Sequence, residues 1–218
     1  MISGHVTLSE PHLLRKSYVS PREKRVKTTA GPLILHSFSS PSLVASLTVE
    51  RGLHAFAHLP EREHRLLLGI AERPDCALTL AYTPAGEIIG QVTLAPADAW
   101  WQGLVNTYEI AVEVSDHWRQ LGLARRLLSL ALEPDAVEEM ILVALGLSWH
   151  WDIKGTGLSP FDYRSMLRQV FEPYGFAEYQ LDEPNIRMDS ANILLVCIGK
   201  RVKQEVTNQL FQRMSFFS

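Results

Sequence analysis

The chain has 218 residues, of which 46% are hydrophobic and 21% are charged, an ordinary balance for a globular protein. Its net charge of −3 argues against a general nucleic-acid-binding protein, which would usually be basic. We find no apolar run long enough to span a membrane, no signal peptide and no CxxC spacing, so we expect a cytoplasmic protein whose Cys76 and Cys197 are free thiols.

Basic side chains are concentrated near the N-terminus, at Arg15, Lys16, Arg22, Lys24, Arg25 and Lys27. Proline, serine and threonine lie between them, which is typical of a solvated, poorly ordered extension. The alternative is a docking arm for an acidic partner. We therefore divide the chain into a basic extension over residues 1–30, one domain over 31–199, and a C-terminal extension over 200–218 that packs on the domain or on a partner.

The first half of the chain predicts a strand, two helices and a hairpin. Ser40, Pro41 and Ser42 are typical of a helix start, and Gly52 of a helix end. The predicted elements are a strand over 33–38, a helix from 41 to about 50, a helix from 60 to about 74, and hairpin strands over 77–82 and 88–94.

The most informative stretch lies in the middle of the chain. Alternating apolar residues predict a strand over 110–114, a polar turn follows, and an amphipathic helix begins near Leu123. The first turn of a helix carries N–H groups without helical partners and a positive potential, so a strand, loop and helix in this order favour an anion site. Gly122 and Ala124 leave space for a phosphate, and the Arg119 guanidinium can bind it. The loop lacks Gly-Lys-Ser/Thr and G-x-G-x-x-G, so it is neither a Walker loop nor a dinucleotide fingerprint.

The second half predicts a buried strand over 140–147, a helix over 160–171 and a last strand over 193–198. The order of these elements indicates one mixed α/β domain without internal repeats. The loop pattern R-x-x-G-x-A at 119–124, and the Tyr-Gly-Phe sequence at 174–176 after the last predicted helix, resemble the GNAT acetyltransferase superfamily. This resemblance implies a central mixed, mostly antiparallel sheet flanked by helices.

Three further segments are similar to the acetoin-utilisation acetyltransferase (AcuA-type) family: RGLHAF at 51–56, WHWDIKGT at 149–156 and IGKRVKQE at 198–205. The similarity extends over nearly the whole chain from about Pro32 onward. It implies an enzyme that transfers acetyl from acetyl-CoA to a lysine of acetyl-CoA synthetase and thereby inactivates the synthetase. We also expect no metal, no nucleic-acid partner and no membrane partner.

The superfamily resemblance also implies where acetyl-CoA binds. The pantetheine would pair with the strand edge at Val112 and Val114, where that strand diverges from the next. The pyrophosphate would lie on the loop residues Arg119, Gln120, Leu121, Gly122, Leu123 and Ala124. Arg125 is a candidate for the 3′-phosphate, with an ordinary surface arginine as the alternative.

An attacking lysine has a pKa of about 10.4 in water and must lose a proton, so we look for a general base. Glu109 and Glu113 lie four residues apart in the predicted strand and therefore on one face. Partial burial would raise a carboxyl pKa towards the working range of a base. Glu109 is the first candidate and Glu113 the second, unless either one faces solvent at a strand end.

His150 is a further candidate base because imidazole titrates near neutrality, although a histidine between tryptophans is more often structural. Asp152 and Lys154 could pair with each other or meet a protein substrate. Many GNAT enzymes have a tyrosine four residues before the glycine that follows the last helix, and it protonates the leaving thiolate. Here that position is Phe171, so Tyr163 or Tyr174 would have to replace it, or the thiolate would leave without a dedicated acid.

Two other functions stay open on the sequence. One is a small-amine N-acetyltransferase in which the loop at Trp100 and Trp101 closes on a metabolite. A deep, closed, acidic pocket would favour this function, whereas a wide, open cleft would favour a protein substrate. The other is a non-catalytic acyl-CoA-binding regulatory subunit. At the C-terminus, Lys200, Arg201, Lys203, Phe211, Phe216 and Phe217 could grip a partner or pack on the domain.

Overall fold

A twisted mixed sheet organises the part of the chain that the computed structural model describes, residues 20–53, 59–180 and 183–215. Arg15, Lys16, residues 54–56 of the RGLHAF segment, Phe216 and Phe217 lie outside the described residues. The nine strands within them are β1 (Glu23–Thr28), β2 (Gly31–His36), β3 (Thr48–Val49), β4 (Ala77–Tyr82), β5 (Glu87–Pro96), β6 (Thr107–Val114), β7 (Ile141–Gly146), β8 (Ala177–Tyr179) and β9 (Ile193–Ile198).

The strands are ordered β1-β2-β4-β5-β6-β7-β9-β8 across the sheet, with β3 paired to β5 at the side of this path. Neighbours are antiparallel except for β6–β7 and β3–β5, which are parallel. The helices are α1 (Pro41–Ala45), α2 (Pro60–Glu72), α3 (Leu123–Ala131), α4 (Ile153–Thr156), α5 (Pro160–Phe171), α6 (Pro184–Arg187) and α7 (Gln204–Ser215). The predicted mixed α/β fold is thereby confirmed, and α5, β4 and β9 have the predicted bounds.

The helix predicted to reach about residue 50 is wrong in its second half, since α1 ends at Ala45. The helix ends there because the residues that follow pair with the start of β5 instead of continuing the helix. The Thr48 amide donates to Gly86 O over 2.9 Å, and the Glu50 amide donates to Ile88 O over 2.9 Å. The β-branched pair Thr48 and Val49 suits this strand better than a helix.

Strand β1 lies inside the segment that we assigned to the basic extension. It pairs with β2 along six residues and forms an edge of the sheet. Its lysines and arginine are charges of the kind that protect an edge strand from further pairing, and Lys24 and Arg22 form ion pairs with Glu133. The division of the chain at residue 30 stays a prediction, but residues 23–28 pair with the main sheet.

The core lies on both faces of the sheet. Helix α3 packs on one face through Leu123, Leu127 and Leu128, and Phe171 of α5 joins the same cluster. Helices α1 and α2 cover β4 and the start of β5 on the opposite face. Beyond them on that face, Trp101 packs with β7, β9 and Leu210 of α7.

Two sequence expectations concern the cysteines and the membrane. Neither Cys76 nor Cys197 forms a disulfide, as expected, and Cys76 is buried. Among the described residues, none of the helices has the length and apolar character needed to cross a bilayer.

Helix α7 should contribute directly to stability, because Leu210 is fully buried between the sheet and Trp101. We expect Leu210→Ala to lower the free energy of unfolding by about 2–5 kcal/mol, as for other buried leucines. Gln209→Ala, at an exposed position of the same helix, is the control and should change it by less than about 0.5 kcal/mol. Equal urea midpoints for the two variants would mean that α7 does not pack on the domain in solution.

Candidate functional site

A gap opens in the middle of the sheet where β6 and β7 diverge. The two parallel strands pair only from Thr107 with Ile141 to Glu109 with Val143. Beyond that point β6 continues against β5 as far as Val114, and β7 continues against β9 as far as Gly146. The β6–β7 gap is therefore bounded by residues 110–114 on one side and 144–146 on the other.

Backbone groups of β6 point into this gap. Asn106 O accepts from the Ile141 amide over 3.0 Å, whereas Thr107 O accepts from the Ala97 amide over 3.1 Å. Because backbone groups alternate along a strand, even-numbered residues of β6 direct theirs towards β7 and odd-numbered residues towards β5. The N–H and C=O groups of Val112 and Val114, the two residues assigned to the cofactor backbone, consequently face the gap.

The loop after β6 leads directly into α3. Gln120 and Gly122 both have left-handed backbone conformations, with φ of 63° and 68°. No side chain caps the N-terminus of α3, so its first N–H groups are left for another acceptor. A Cβ added at Gly122 would have nothing within 4 Å, so this glycine is required by its φ and not by crowding.

An ion pair joins this loop to the WHWDIKGT segment. Arg119 Nη1 lies 2.6 Å from Asp152 Oδ2, and both side chains are partly buried. Asp152 also caps α4, accepting the Gly155 amide at 2.8 Å through Oδ1. Asp152 thus pairs with Arg119, a partner that the sequence did not indicate because the two residues are 33 positions apart.

Glu109 is the last residue of β6 that pairs with β7, so it lies where the gap begins. Burial raises the pKa of its carboxyl, and the negative charges of Asp98 and Glu183 raise it further. Glu183 is buried and holds the start of α6 by accepting the Ile186 amide at 2.8 Å. Glu113 shares the face of Glu109 and is partly buried. The structure therefore gives Glu109 the perturbed carboxyl that a general base requires.

Tyr163 lies beside the same region. Its ring stacks on Trp151 with the centroids 5.0 Å apart. Burial raises the pKa of the phenol most strongly, Arg119 opposes this, and Asp152 and Glu113 add to it, so the hydroxyl stays protonated at neutral pH. Phe171 is buried against Phe176, with ring centroids 5.0 Å apart.

The remaining candidates occupy other environments. The Tyr174 hydroxyl donates to Arg125 O over 2.5 Å, and the exposed Arg125 side chain donates to Gln169 O over 3.4 Å. His150 is exposed, with its ring centroid 6.0 Å from that of Trp149. Tyr174 thus adjoins α3 through the Arg125 carbonyl, and His150 ends the 3₁₀ turn Ser148–His150, two residues before Asp152.

The loop at Trp100 and Trp101 is held against α7. Trp101 is buried, and the Trp100 ring meets it edge-on with centroids 4.8 Å apart. Arg213 donates to Trp100 O over 2.8 Å and to Gln102 O over 2.9 Å. This packing favours a structural role for the two tryptophans over a loop that closes on a metabolite.

Comparisons with known proteins identify relatives of this chain in sequence and in fold. No family model matches the chain. The chain is 30% identical over 197 residues to the acetoin utilization protein AcuA of Bacillus subtilis (strain 168). The aligned region covers 88% of this chain and 92% of the relative. A crystal structure of an acetoin utilization protein from Exiguobacterium sibiricum superposes with a TM-score of 0.84 at 28% identity, over 89% of this chain and 94% of that chain.

The GNAT domain of S. lividans PAT superposes with a TM-score of 0.50 at 16% identity, over 80% of this chain and 95% of that domain, which shows the fold. These likenesses confirm the resemblance to the acetoin-utilisation family found in the sequence and show that the chain has the fold of a GNAT domain.

The loop conformation makes a stability prediction with an internal control. We expect Gly122→Ala to lower the free energy of unfolding by about 1–2 kcal/mol, because alanine is strained at a φ of 68°. Gly69→Ala is at an exposed position inside α2 with open space around it, so it should raise stability by about 0.5–1 kcal/mol. Chemical denaturation of both variants measures this, and a stabilised Gly122→Ala protein would contradict the loop conformation.

Proposed function

Because the chain belongs to the family of the acetoin utilization protein AcuA and has the GNAT fold, we propose that it is an acetyl-CoA-dependent protein N-acetyltransferase. One observation supports this most directly: Glu109, with its raised pKa, lies at the point where β6 leaves β7 and turns its following backbone groups to a gap. A base beside an open strand edge is what acyl transfer from a bound thioester to an amine needs.

In this proposal acetyl-CoA lies in the β6–β7 gap. Its pantetheine amides hydrogen-bond with the backbone of Val112 and Val114, and its pyrophosphate accepts from the N–H groups of residues 120–124. Arg119 lies beside the pyrophosphate, held in place by Asp152. Arg125 is exposed next to the loop and is available for the 3′-phosphate. The proposed mechanism uses no metal ion.

The chemical step uses the carboxylates on the other side of the sheet from α3. Asp98 and Glu183 make the surroundings of Glu109 negative, which attracts the ammonium group of a lysine. Glu109 takes one proton from nitrogen, directly or through a water, and the amine attacks the thioester carbonyl carbon. The C–S bond then breaks as Tyr163 or a water gives a proton to the departing CoA thiolate. The amide forms when the attacking nitrogen loses its second proton, which restores the proton of Tyr163 or of that water.

We propose that the acceptor is a lysine of acetyl-CoA synthetase, as the family resemblance implies. Acetylation removes the charge and the nucleophilicity of that side chain, so it would inactivate the synthetase. The test is incubation of the protein with acetyl-CoA and the synthetase from the same organism, followed by intact-mass measurement and an activity assay of the synthetase.

A mass increase of one acetyl group on the synthetase, together with lost activity, is the expected result. Acetylation of free amines and not of the synthetase would indicate a small-amine N-acetyltransferase instead. Loss of synthetase activity without any change in mass would indicate a non-catalytic regulatory subunit.

Glu109→Gln separates catalysis from binding. We expect it to lower kcat by about a hundredfold or more, because general bases contribute roughly 10²–10⁴ to rates, while the Kd for acetyl-CoA stays within about twofold. The variant should be at least as stable as the wild type at neutral pH, since its environment disfavours the ionised carboxyl.

The pH profile gives a second readout of Glu109. The wild-type kcat/KM should rise with pH through a pKa above the usual carboxyl range, because only the ionised form accepts a proton, and this limb should vanish in Glu109→Gln. Glu113→Gln is the matched variant on the same face. If it removes the rise while Glu109→Gln keeps it, Glu113 is the base and the assignment of Glu109 is wrong.

A further inference from the structure

A buried carboxylate outside the proposed chemistry lies behind the cofactor loop. Glu50 follows β3, and the residue is only 7% exposed. Its Oε2 accepts the Gly52 amide at 2.8 Å and also the Ser115 hydroxyl, and its Oε1 lies 2.9 Å from His117 Nδ1. The position of Glu50 therefore fixes two side chains that are more than sixty residues away in sequence.

These two side chains belong to the turn that starts the cofactor loop. Ser115 is the residue after β6, and His117 lies in the 3₁₀ turn Asp116–Trp118, immediately before Arg119. The Ser115 amide donates to Ile89 O over 2.8 Å, next to the bond from the Glu50 amide to Ile88 O. Both segments are thus anchored on the same end of β5, and the Glu50 carboxylate joins their side chains.

Gly52 explains how the two segments come so close. A Cβ added there would lie 1.9 Å from Asp116 Oδ1, 2.6 Å from Ser115 Oγ and 2.8 Å from Glu50 Oε2. The Asp116 amide also donates a hydrogen bond to Gly52 O over 3.3 Å. The proposed chemistry gives no role to the RGLHAF segment. Gly52, its second residue, lets the chain before β4 pack closely against the turn that starts the cofactor loop.

We propose that Glu50 is a positioning residue for acetyl-CoA binding, acting through Ser115 and His117 to hold the start of the loop at 119–124, and that His117 makes this hold dependent on pH. The inference rests on the proposed function, since it assumes that the loop binds the pyrophosphate. Glu50 itself does not touch the cofactor.

The charges around the cluster set the direction of the pH effect. Burial of Glu50 acts to raise its pKa, but hydrogen bonds from Ser115, His117 and the Gly52 amide outweigh it and lower the pKa. The hydrogen bond to Glu50 raises the pKa of His117, the charges of Asp116 and Glu50 add to this, and burial and Arg51 oppose it.

A raised pKa means that the protonated form of His117 is favoured in the folded protein. The charged pair is therefore complete at low pH and is lost as the pH rises through the raised pKa. Glu50, Asp116 and His117 also lie close enough together to surround a cation. Both Glu50 oxygens already accept hydrogen bonds within the protein, however, so a cluster that gains and loses a proton at His117 fits the geometry better than a metal site.

The test compares CoA affinity between variants by isothermal titration calorimetry at about pH 6 and about pH 8.5, on either side of the usual histidine pKa. We expect Glu50→Gln to weaken CoA binding about tenfold at the lower pH, the effect of losing hydrogen bonds to a charged group. His117→Gln should weaken it about fivefold or more at the lower pH and become equal to wild type at the higher pH. Glu72→Gln, at an exposed site on α2, is the control and should match wild type at both.

Titration of the CoA phosphate affects every variant alike, so the ratio of wild-type to variant Kd reports the cluster alone. Equal Kd values for wild type and His117→Gln at both pH values would overturn this inference while leaving the proposed function intact. A wild-type protein that does not bind CoA at either pH would overturn both. If Glu50→Gln does not fold, the CoA affinities of His117→Gln and Ser115→Ala test the inference in its place. Ser115→Ala removes one hydrogen bond to Glu50 and should weaken CoA binding at both pH values.

Discussion

The early divergence of β6 and β7 is the constraint on which the rest of the molecule depends. Parallel strands in a sheet normally satisfy their backbone groups along their whole length, but here the shared ladder stops at Glu109 and Val143. Each strand is kept extended beyond that point by its outer neighbour, β5 or β9. The gap thus consists of strand edges held open by the remainder of the sheet, and the backbone groups of Val112 and Val114 need a partner from solvent or from a ligand.

Two long-range polar contacts hold the loop at the end of this gap from opposite sides. Glu50 reaches it from the chain before β4, through Ser115 and His117. Asp152 reaches it from the chain after β7, through Arg119. A loop with two left-handed residues, Gln120 and Gly122, loses conformational freedom when it is ordered, and these contacts restrain it through side chains of the protein itself. Both contacts involve segments that resemble the acetoin-utilisation family. WHWDIKGT contains Asp152, and RGLHAF contains Gly52, whose amide donates to Glu50.

Local patterns predicted much of this architecture. Periodicity and turn residues are sufficient to predict α2, α5, the β4–β5 hairpin and β9. The anion site on the loop before α3 stays a prediction from the small residues at 122 and 124. Contacts between distant residues were not accessible in the same way. Asp152 with Arg119, Glu50 with Ser115, and the carboxylates of Asp98 and Glu183 near Glu109 depend on the topology of the sheet, which no window of the sequence displays. The predicted end of α1 is wrong for the same reason, because the strand that pairs with β3 is β5, about forty residues further along the chain.

The central claim is that acetyl-CoA lies in the β6–β7 gap with its pyrophosphate on the loop before α3. The most direct measurement is a titration of isotope-labelled protein with acetyl-CoA, followed through its backbone amide resonances. We expect saturable changes at the amides of Val112, Val114 and residues 120–124, with smaller changes around Asp152. Changes confined to another surface, such as the cavity lined by Arg164, Tyr179 and Asn192, with those amides unaffected, would contradict the account.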